Sequence, residues 1–388
     1  MPNLLRSIAW TSFAVVGFVA GPTKPAASDG GQSIFRLDTY GDESFWTDTL
    51  RMHEVIRTKV SPATALSVGL KVDVDALPAE IKAGLQNKSI DLNDPKTTVA
   101  LLKLGAVVGV VGHVDASNTL TRVGVSCALC HSTVDNSFAP NIGHRLDGWP
   151  NRDLNVGGII ALSPAVTPEQ RTVYQSWGAG KYDPRFNLDK KNMPVVIPPA
   201  FGLRQVKREI YTGDDTISYW NAYVAITQMH GHGHFVDPRI GVDVNNPPNL
   251  TSSKLSALRA YQFSLPSPKA RAGTFDAAAA RRGRSVFDGV AKCSSCHTGP
   301  ALTDVNQGVL HAPAEVGQSA AYADRSATKR YRTTPLRGLW NPPQLKGPYF
   351  HDGSAATLDD VVDHYVKLKA LVLTPSQRAD LVAYLKSL

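Results

Sequence analysis

The sequence predicts a mainly α-helical chain in two halves, each organised around one cysteine–histidine motif, with a partly β leader before the first. Three observations carry that expectation. Cys127-Ala128-Leu129-Cys130-His131 and Cys293-Ser294-Ser295-Cys296-His297 repeat one pentapeptide pattern. Capped amphipathic segments surround the second copy. A valine-rich run with a turn signal precedes the first.

The N-terminus comes first. Arg6 is followed by a short apolar run, Ile8 to Ala20, and then by small residues ending at Ala26-Ala27. That is the pattern of an export signal over residues 1–27, too short for a comfortable membrane span. With the signal removed, no integral span is expected. Residues 28–126 form a leader whose role the residues do not state. Ser44–Lys59 reads as a helix, with Phe45, Leu50, His53 and Ile56 on one side, and Leu77–Leu85 as a shorter one. Val107 to Val114, the turn Asp115-Ala116-Ser117-Asn118 and Leu120 to Val125 read as a β-hairpin leading into Cys127.

Residues 127–268 follow as a first domain. Residues 132–200 are rich in Asn, Gly and Pro and suit wrapping loops. Asp215–Met229 reads as a helix, and another lies within 251–274. The linker Ser264-Leu265-Pro266-Ser267-Pro268 marks a boundary, so 269–388 is a second domain. There, Asp276–Phe287 is a helix before Cys293. Thr357 caps a helix with Leu358, Val361, Val362, Tyr365 and Leu368 along one stripe. Thr374-Pro375-Ser376-Gln377 opens the last helix as a capping box with Pro at its first position.

The motifs decide the chemistry. All four cysteines of the chain lie in them. Two disulfides would not need this spacing, and a thioredoxin-like site would not need the adjacent His. Cys-x-x-Cys-His is the c-type haem attachment pattern: each thiol forms a thioether with a haem vinyl group, and the His supplies the proximal nitrogen. The expectation is two covalently bound haem c groups on Cys127, Cys130, His131 and on Cys293, Cys296, His297. Helix, motif, loops and a closing helix make a class-I-like cytochrome c domain, so two such haem domains are expected. Such haem is attached outside the bacterial cytoplasm, which fits a periplasmic location.

The 388 residues are 43% hydrophobic and 19% charged, an ordinary globular balance, with net charge +8 and pI near 9.2. No polybasic run or aromatic-interleaved basic stripe appears, which excludes nucleic acid as a partner. The positive excess suits either solubility or an acidic electron-transfer partner.

From Tyr331 to Tyr365 the chain resembles the bacterial di-haem cytochrome c peroxidase family, which includes the MauG-type enzymes. The run Tyr331-Arg332-Thr333-Thr334-Pro335-Leu336-Arg337-Gly338, then Pro348-Tyr349-Phe350-His351-Asp352-Gly353 and Thr357-Leu358-Asp359-Asp360-Val361-Val362, carries the likeness. In the first half, Ile142-Gly143-His144, Asn192-Met193-Pro194 and Gln228-Met229-His230 resemble further family segments. The resemblance implies an oxidoreductase in which electrons pass from the C-terminal haem to the N-terminal one, which reduces hydrogen peroxide or does related chemistry. A small cytochrome or cupredoxin would be the donor. It also implies a calcium ion between domains, mapped here to Asn192 and the carbonyls of Lys346 and Pro348; oxygen ligands suit a hard cation.

The axial ligands separate catalyst from carrier. Methionines stand only at 1, 52, 193 and 229, so the family's Met ligand to the second haem is missing, and Tyr365 occupies the corresponding place, as in MauG-type enzymes. Tyr365 either ligates that iron or packs on the haem edge. At the first haem the family match is His144, with Met193 as a second candidate. Gln228 stands where family peroxidases have a Glu before Met-His; it can orient peroxide but cannot act as a base, leaving His230 to substitute. Tyr211-Thr212-Gly213 replaces a Trp-Asp-Gly whose Trp lies between the haems. His230-Gly231-His232-Gly233-His234 could converge on a metal, serve the haem pocket or be a flexible loop. A peroxidase-like enzyme, a plain electron carrier and a redox subunit docking through residues 28–120 all remain open.

Overall fold

The computed structural model describes residues 26–388 other than 341 and 343. The signal expectation for residues 1–27 therefore lies outside the described residues, apart from Ala26 and Ala27, which begin a helix, Ala26–Leu37. Helices dominate, and the β structure is confined to small two-stranded pairings.

The leader does not stand apart. The Ala26–Leu37 helix packs on Leu255–Ser264, so that Phe35 shares a buried cluster with Val108, Ala128, Val134, Leu258 and Tyr261. Arg36 is tied to Asp147 at 2.6 Å. Tyr40, Trp46, Leu50, Met52 and Val55 join Val123, Val125 and Leu129 in a larger cluster against which Cys127 and Cys130 pack. The leader thus forms one wall of the first motif's surroundings.

The expected single helix over Ser44–Lys59 is broken. Ser44–Thr49 is a wide turn, Arg51 takes a left-handed conformation (φ +56°), and Met52–Lys59 follows as a helix. The break turns Trp46 and Met52 into the same core. The valine-rich run pairs antiparallel, Val110–Val114 against Leu120–Val125. Asp115 Oδ1 accepts from the amides of Ser117 and Thr119 to shape its turn, and Asn118 takes φ +60°. Gly109, at φ +75°, lets this hairpin lie on the first motif: a Cβ there would sit 2.0 Å from the Leu129 nitrogen.

In the second half, Ala277–Asp288 crosses the closing helix Pro375–Lys386 at Gly283, whose Cβ would be 1.8 Å from the Asp380 carbonyl oxygen. Arg282 and Asp380 pair beside the crossing. Leu358–Leu368 lays Leu358 and Val362 into the same core as Phe287, Leu381 and Leu385. Both C-terminal helices carry the capping boxes read from Thr357 and Thr374.

Gly109→Ala combines a disfavoured φ with a main-chain clash, and is expected to cost about 2–4 kcal/mol of stability in chemical unfolding.

Candidate haem sites

Each motif's histidine is partly buried and has its ring oriented by the main chain. His131 Nδ1 lies 3.1 Å from the Pro198 carbonyl, and His297 Nδ1 lies 2.9 Å from the Leu302 carbonyl. A carbonyl only accepts, so Nδ1 carries the proton and donates, leaving Nε2 with its lone pair for a metal. Burial holds both imidazoles neutral, pushing His131 down to about 4 and His297 below its ordinary value. The four thiols are unpaired, and burial raises Cys127 to about 11 and Cys130 to about 12.

An unpaired cation completes the fit. The Arg152 guanidinium is buried, with Nε and Nη1 lacking any acceptor, and desolvation lowers its pKa. The amide of the preceding Asn151 donates to the Cys130 carbonyl, while Tyr211 and Tyr349 lie close to the guanidinium. A buried charge needs a counter-ion, and the carboxylates of a haem beside the first motif would provide one. Tautomer, free thiols and orphaned guanidinium suit covalent haem on Cys127, Cys130, His131 and on Cys293, Cys296, His297.

Tyr365 is brought to the second motif. It is largely buried, and its hydroxyl is raised to about 12 by desolvation and by the nearby thiols of Cys296 and Cys293. The neighbouring His364 turns away, its Nε2 2.9 Å from the Val316 carbonyl. His144 is not brought to the first motif. Its ring is 59% exposed and its Nδ1 pairs with Asp75 at 2.9 Å, which raises its pKa. Flanking Gly143 and Arg145 are held in separate short pairings, so the side chain between them faces the solvent edge. Met193 packs with Val195, Tyr322 and Tyr331, away from the first motif's cluster. Met52 and Met229, by contrast, are buried in that cluster.

Gln228 lies within reach of the first motif. The expected helix over Asp215–Met229 is helical from Ile217 to Tyr223 and then widens into a π turn over Val224–Gln228, a distortion often found at functional sites. Gln228 is buried; its Oε1 accepts from the Tyr182 hydroxyl at 2.8 Å and its Nε2 donates to Thr227 Oγ1. Tyr182 is itself partly buried and packs, like Cys130, against the first motif's cluster.

The three histidines of the Gly-spaced run do not converge. His230, at φ +64°, stacks on Phe45 at 3.7 Å and meets Asn187 Nδ2 at 3.2 Å. His232 is held by the Pro247 carbonyl, and His234 by Asp243. The run instead grips the leader, because the His232 amide donates to the Tyr40 carbonyl at 2.7 Å. Asn192 is exposed, its Oδ1 accepting from the Trp177 indole. Among the described residues, Cys296, Asp304 and His311 are three His, Cys or acidic side chains whose ligand atoms lie within 4.8 Å of one another.

Sequence reasoning missed Tyr40, Trp46, Tyr182 and Arg152. Only the Ser44–Lys59 apolar stripe pointed toward a buried leader, and nothing in spacing marks Arg152 as lacking a partner.

His230 yields a pH prediction. Desolvation, with Lys190 adding to it, lowers its pKa from 6.5 to about 4. The unfolded chain takes up this proton near pH 6.5 and the folded chain only near pH 4. Stability from this group therefore falls as pH drops through that window, by about 3 kcal/mol at the acid end. His230→Gln should flatten that part of the stability–pH curve in denaturant titrations. By intact mass, serine at both Cys127 and Cys130 should remove one covalent haem, and serine at both Cys293 and Cys296 the other.

The comparisons with known proteins agree with this geometry. A cytochrome c family model matches residues 280–388. Methylamine utilization protein MauG of Methylorubrum extorquens is 32% identical over 296 residues, covering 69% of this chain and 74% of its own. Cytochrome-c peroxidase IdrP1 of Denitromonas iodatirespirans is 30% identical over 191 residues, covering 36% of this chain and 50% of its own. A solved MauG-like protein associated with microbial copper homeostasis covers 51% of this chain and 74% of its own at 19% identity, with a TM-score of 0.36, too slight a likeness to carry an argument. The chain belongs to the MauG and di-haem cytochrome c peroxidase family, and is a di-haem c-type cytochrome with peroxidase-like or MauG-like oxidoreductase activity.

Proposed function

We propose that this is an exported, periplasmic enzyme whose His131 haem reacts with hydrogen peroxide while its Cys293–Cys296 haem relays electrons to it from a small cytochrome or cupredoxin. Residues 127–268, with the leader folded onto them, would hold the first haem, and 269–388 the second. The observation that carries the reading is an asymmetry. Tyr365 lies near both thiols of the second motif, whereas His144, the residue matched to the first iron, is turned outward to Asp75.

Bound haem would supply redox-active iron at each His Nε2. The chain's own residues do the rest. Pro198 and Leu302 hold the two proximal rings in one tautomer. Tyr182 and Gln228 form a partly buried hydrogen-bonded pair near Cys130, and the Gln amide orients without exchanging a proton. His230, held neutral near pH 7 by burial, accepts from the Asn187 amide at Nε2 and keeps its one N–H at Nδ1. Arg152 would neutralise a haem carboxylate.

One observation favours a carrier instead. Met52 and Met229 are buried in the first motif's cluster, and a thioether could close that iron.

Stopped-flow mixing of reduced holoprotein with hydrogen peroxide separates the two. Fast oxidation of the first haem is expected, and a rate no better than a simple cytochrome's contradicts the reading. Gln228→Leu should slow that oxidation by roughly tenfold to a hundredfold. Tyr365→Phe should alter the optical spectrum of the second haem while leaving the first unchanged.

A further inference from the structure

A buried aromatic cluster joins the two motif loops. Ring centroids of Tyr322 and Tyr331 lie 4.9 and 5.1 Å from that of His351, and Tyr211 lies at 6.2 Å. On the first side, the Tyr211 hydroxyl donates to the Val196 carbonyl, and the Val196 amide donates to the His351 carbonyl. Val196 is two residues from Pro198, whose carbonyl orients His131. On the second side, the main chain of Tyr331 pairs in both directions with that of His311. The His311 ring meets Asp304 at 2.9 Å, two residues from Leu302, whose carbonyl orients His297.

Within the cluster, one tyrosine faces a base. His351 Nδ1 lies 2.9 Å from Gln318 Oε1, to which it can donate, leaving Nε2 as an acceptor. The Tyr331 hydroxyl donates its one proton to the Ser319 carbonyl at 2.7 Å, and a rotation about its C–O bond turns the same proton to that Nε2 at 3.3 Å. Burial keeps the ring neutral, and the adjacent Asp352 carboxylate would stabilise it once protonated.

We propose that Tyr331 and His351 form a proton-coupled redox pair between the two haem motifs, carrying oxidising equivalents as a transient Tyr331 phenoxyl radical. The phenol loses one electron to the oxidising equivalent that hydrogen peroxide generates at a haem. Its proton moves to His351 Nε2, giving a neutral phenoxyl and an imidazolium. Return of one electron and that proton restores both groups. A proton acceptor in place makes tyrosine oxidation easier, because no phenol cation need form in a buried site. The oxidant rests on the peroxide reading above; the pair itself does not.

Rapid-freeze electron paramagnetic resonance of the holoprotein after mixing with hydrogen peroxide tests it. An organic radical is expected whose line narrows with ring-deuterated tyrosine. It should be lost in Tyr331→Phe and retained in Tyr322→Phe, at equal haem content. Its formation should show a solvent deuterium isotope effect that disappears in His351→Gln. A radical that persists in Tyr331→Phe overturns the proposal, as does consumption of peroxide with no tyrosyl signal. If peroxide is not consumed, the peroxide reading fails by itself. Flash oxidation by a surface-attached ruthenium photo-oxidant then decides the pair: a Tyr331-dependent phenoxyl absorbance supports it, and none overturns it.

Discussion

A buried neutral imidazole has one N–H to place, and both haem motifs place it on a main-chain carbonyl. His131 uses Pro198 and His297 uses Leu302. The site geometry follows from that choice. It aims each Nε2, fixes the loop carrying the carbonyl, and makes those loops the routes by which the two halves meet. Pro198 belongs to the stretch whose Val195–Val196 pairs with Lys181–Tyr182, and so fixes the strand that delivers Tyr182 to Gln228. Leu302 precedes Asp304, which anchors His311 and through it Tyr331. Buried ion pairs add to the join, with Arg325 gripping Asp183 and Asp189 and Arg332 gripping Glu209. Such pairs specify geometry more than they add stability.

The two sites differ in what surrounds the motif. The second has a helical frame, Ala277–Asp288 against Pro375–Lys386, with Tyr365 delivered by a third helix. The first is walled by the leader: Tyr40, Trp46, Leu50, Met52 and Val55 reach the cluster that receives Cys127 and Cys130. The Gly-spaced histidine run holds this wall in place, with the His232 amide on the Tyr40 carbonyl and His230 stacked on Phe45.

Local signals were legible where local physics decides. The capping boxes at Thr357 and Thr374 and the antiparallel pairing around Asp115–Asn118 follow from near-neighbour hydrogen bonds and periodicity. The haem motifs were legible because thioether chemistry demands their spacing. What depends on distant partners was not. His144 follows the family pattern in sequence, yet Asp75, 69 residues earlier, takes its ring. The alternation of His230, His232 and His234 suggested convergence, but strand pairing of Gly233–Asp237 with Val242–Asn246 and the positive φ at His230 send the rings apart. Arg152 has no local mark at all, since its meaning is the absence of an acceptor in three dimensions.

The central proposal is that the two haem sites are unequal, one able to take an exogenous ligand and one with Tyr365 as the candidate sixth ligand. The most direct measurement is an electron paramagnetic resonance spectrum of the diferric holoprotein as isolated. The account predicts one high-spin and one low-spin ferric haem in equal amounts, with the high-spin signal alone converted on adding cyanide. Two low-spin haems that both resist cyanide would contradict it.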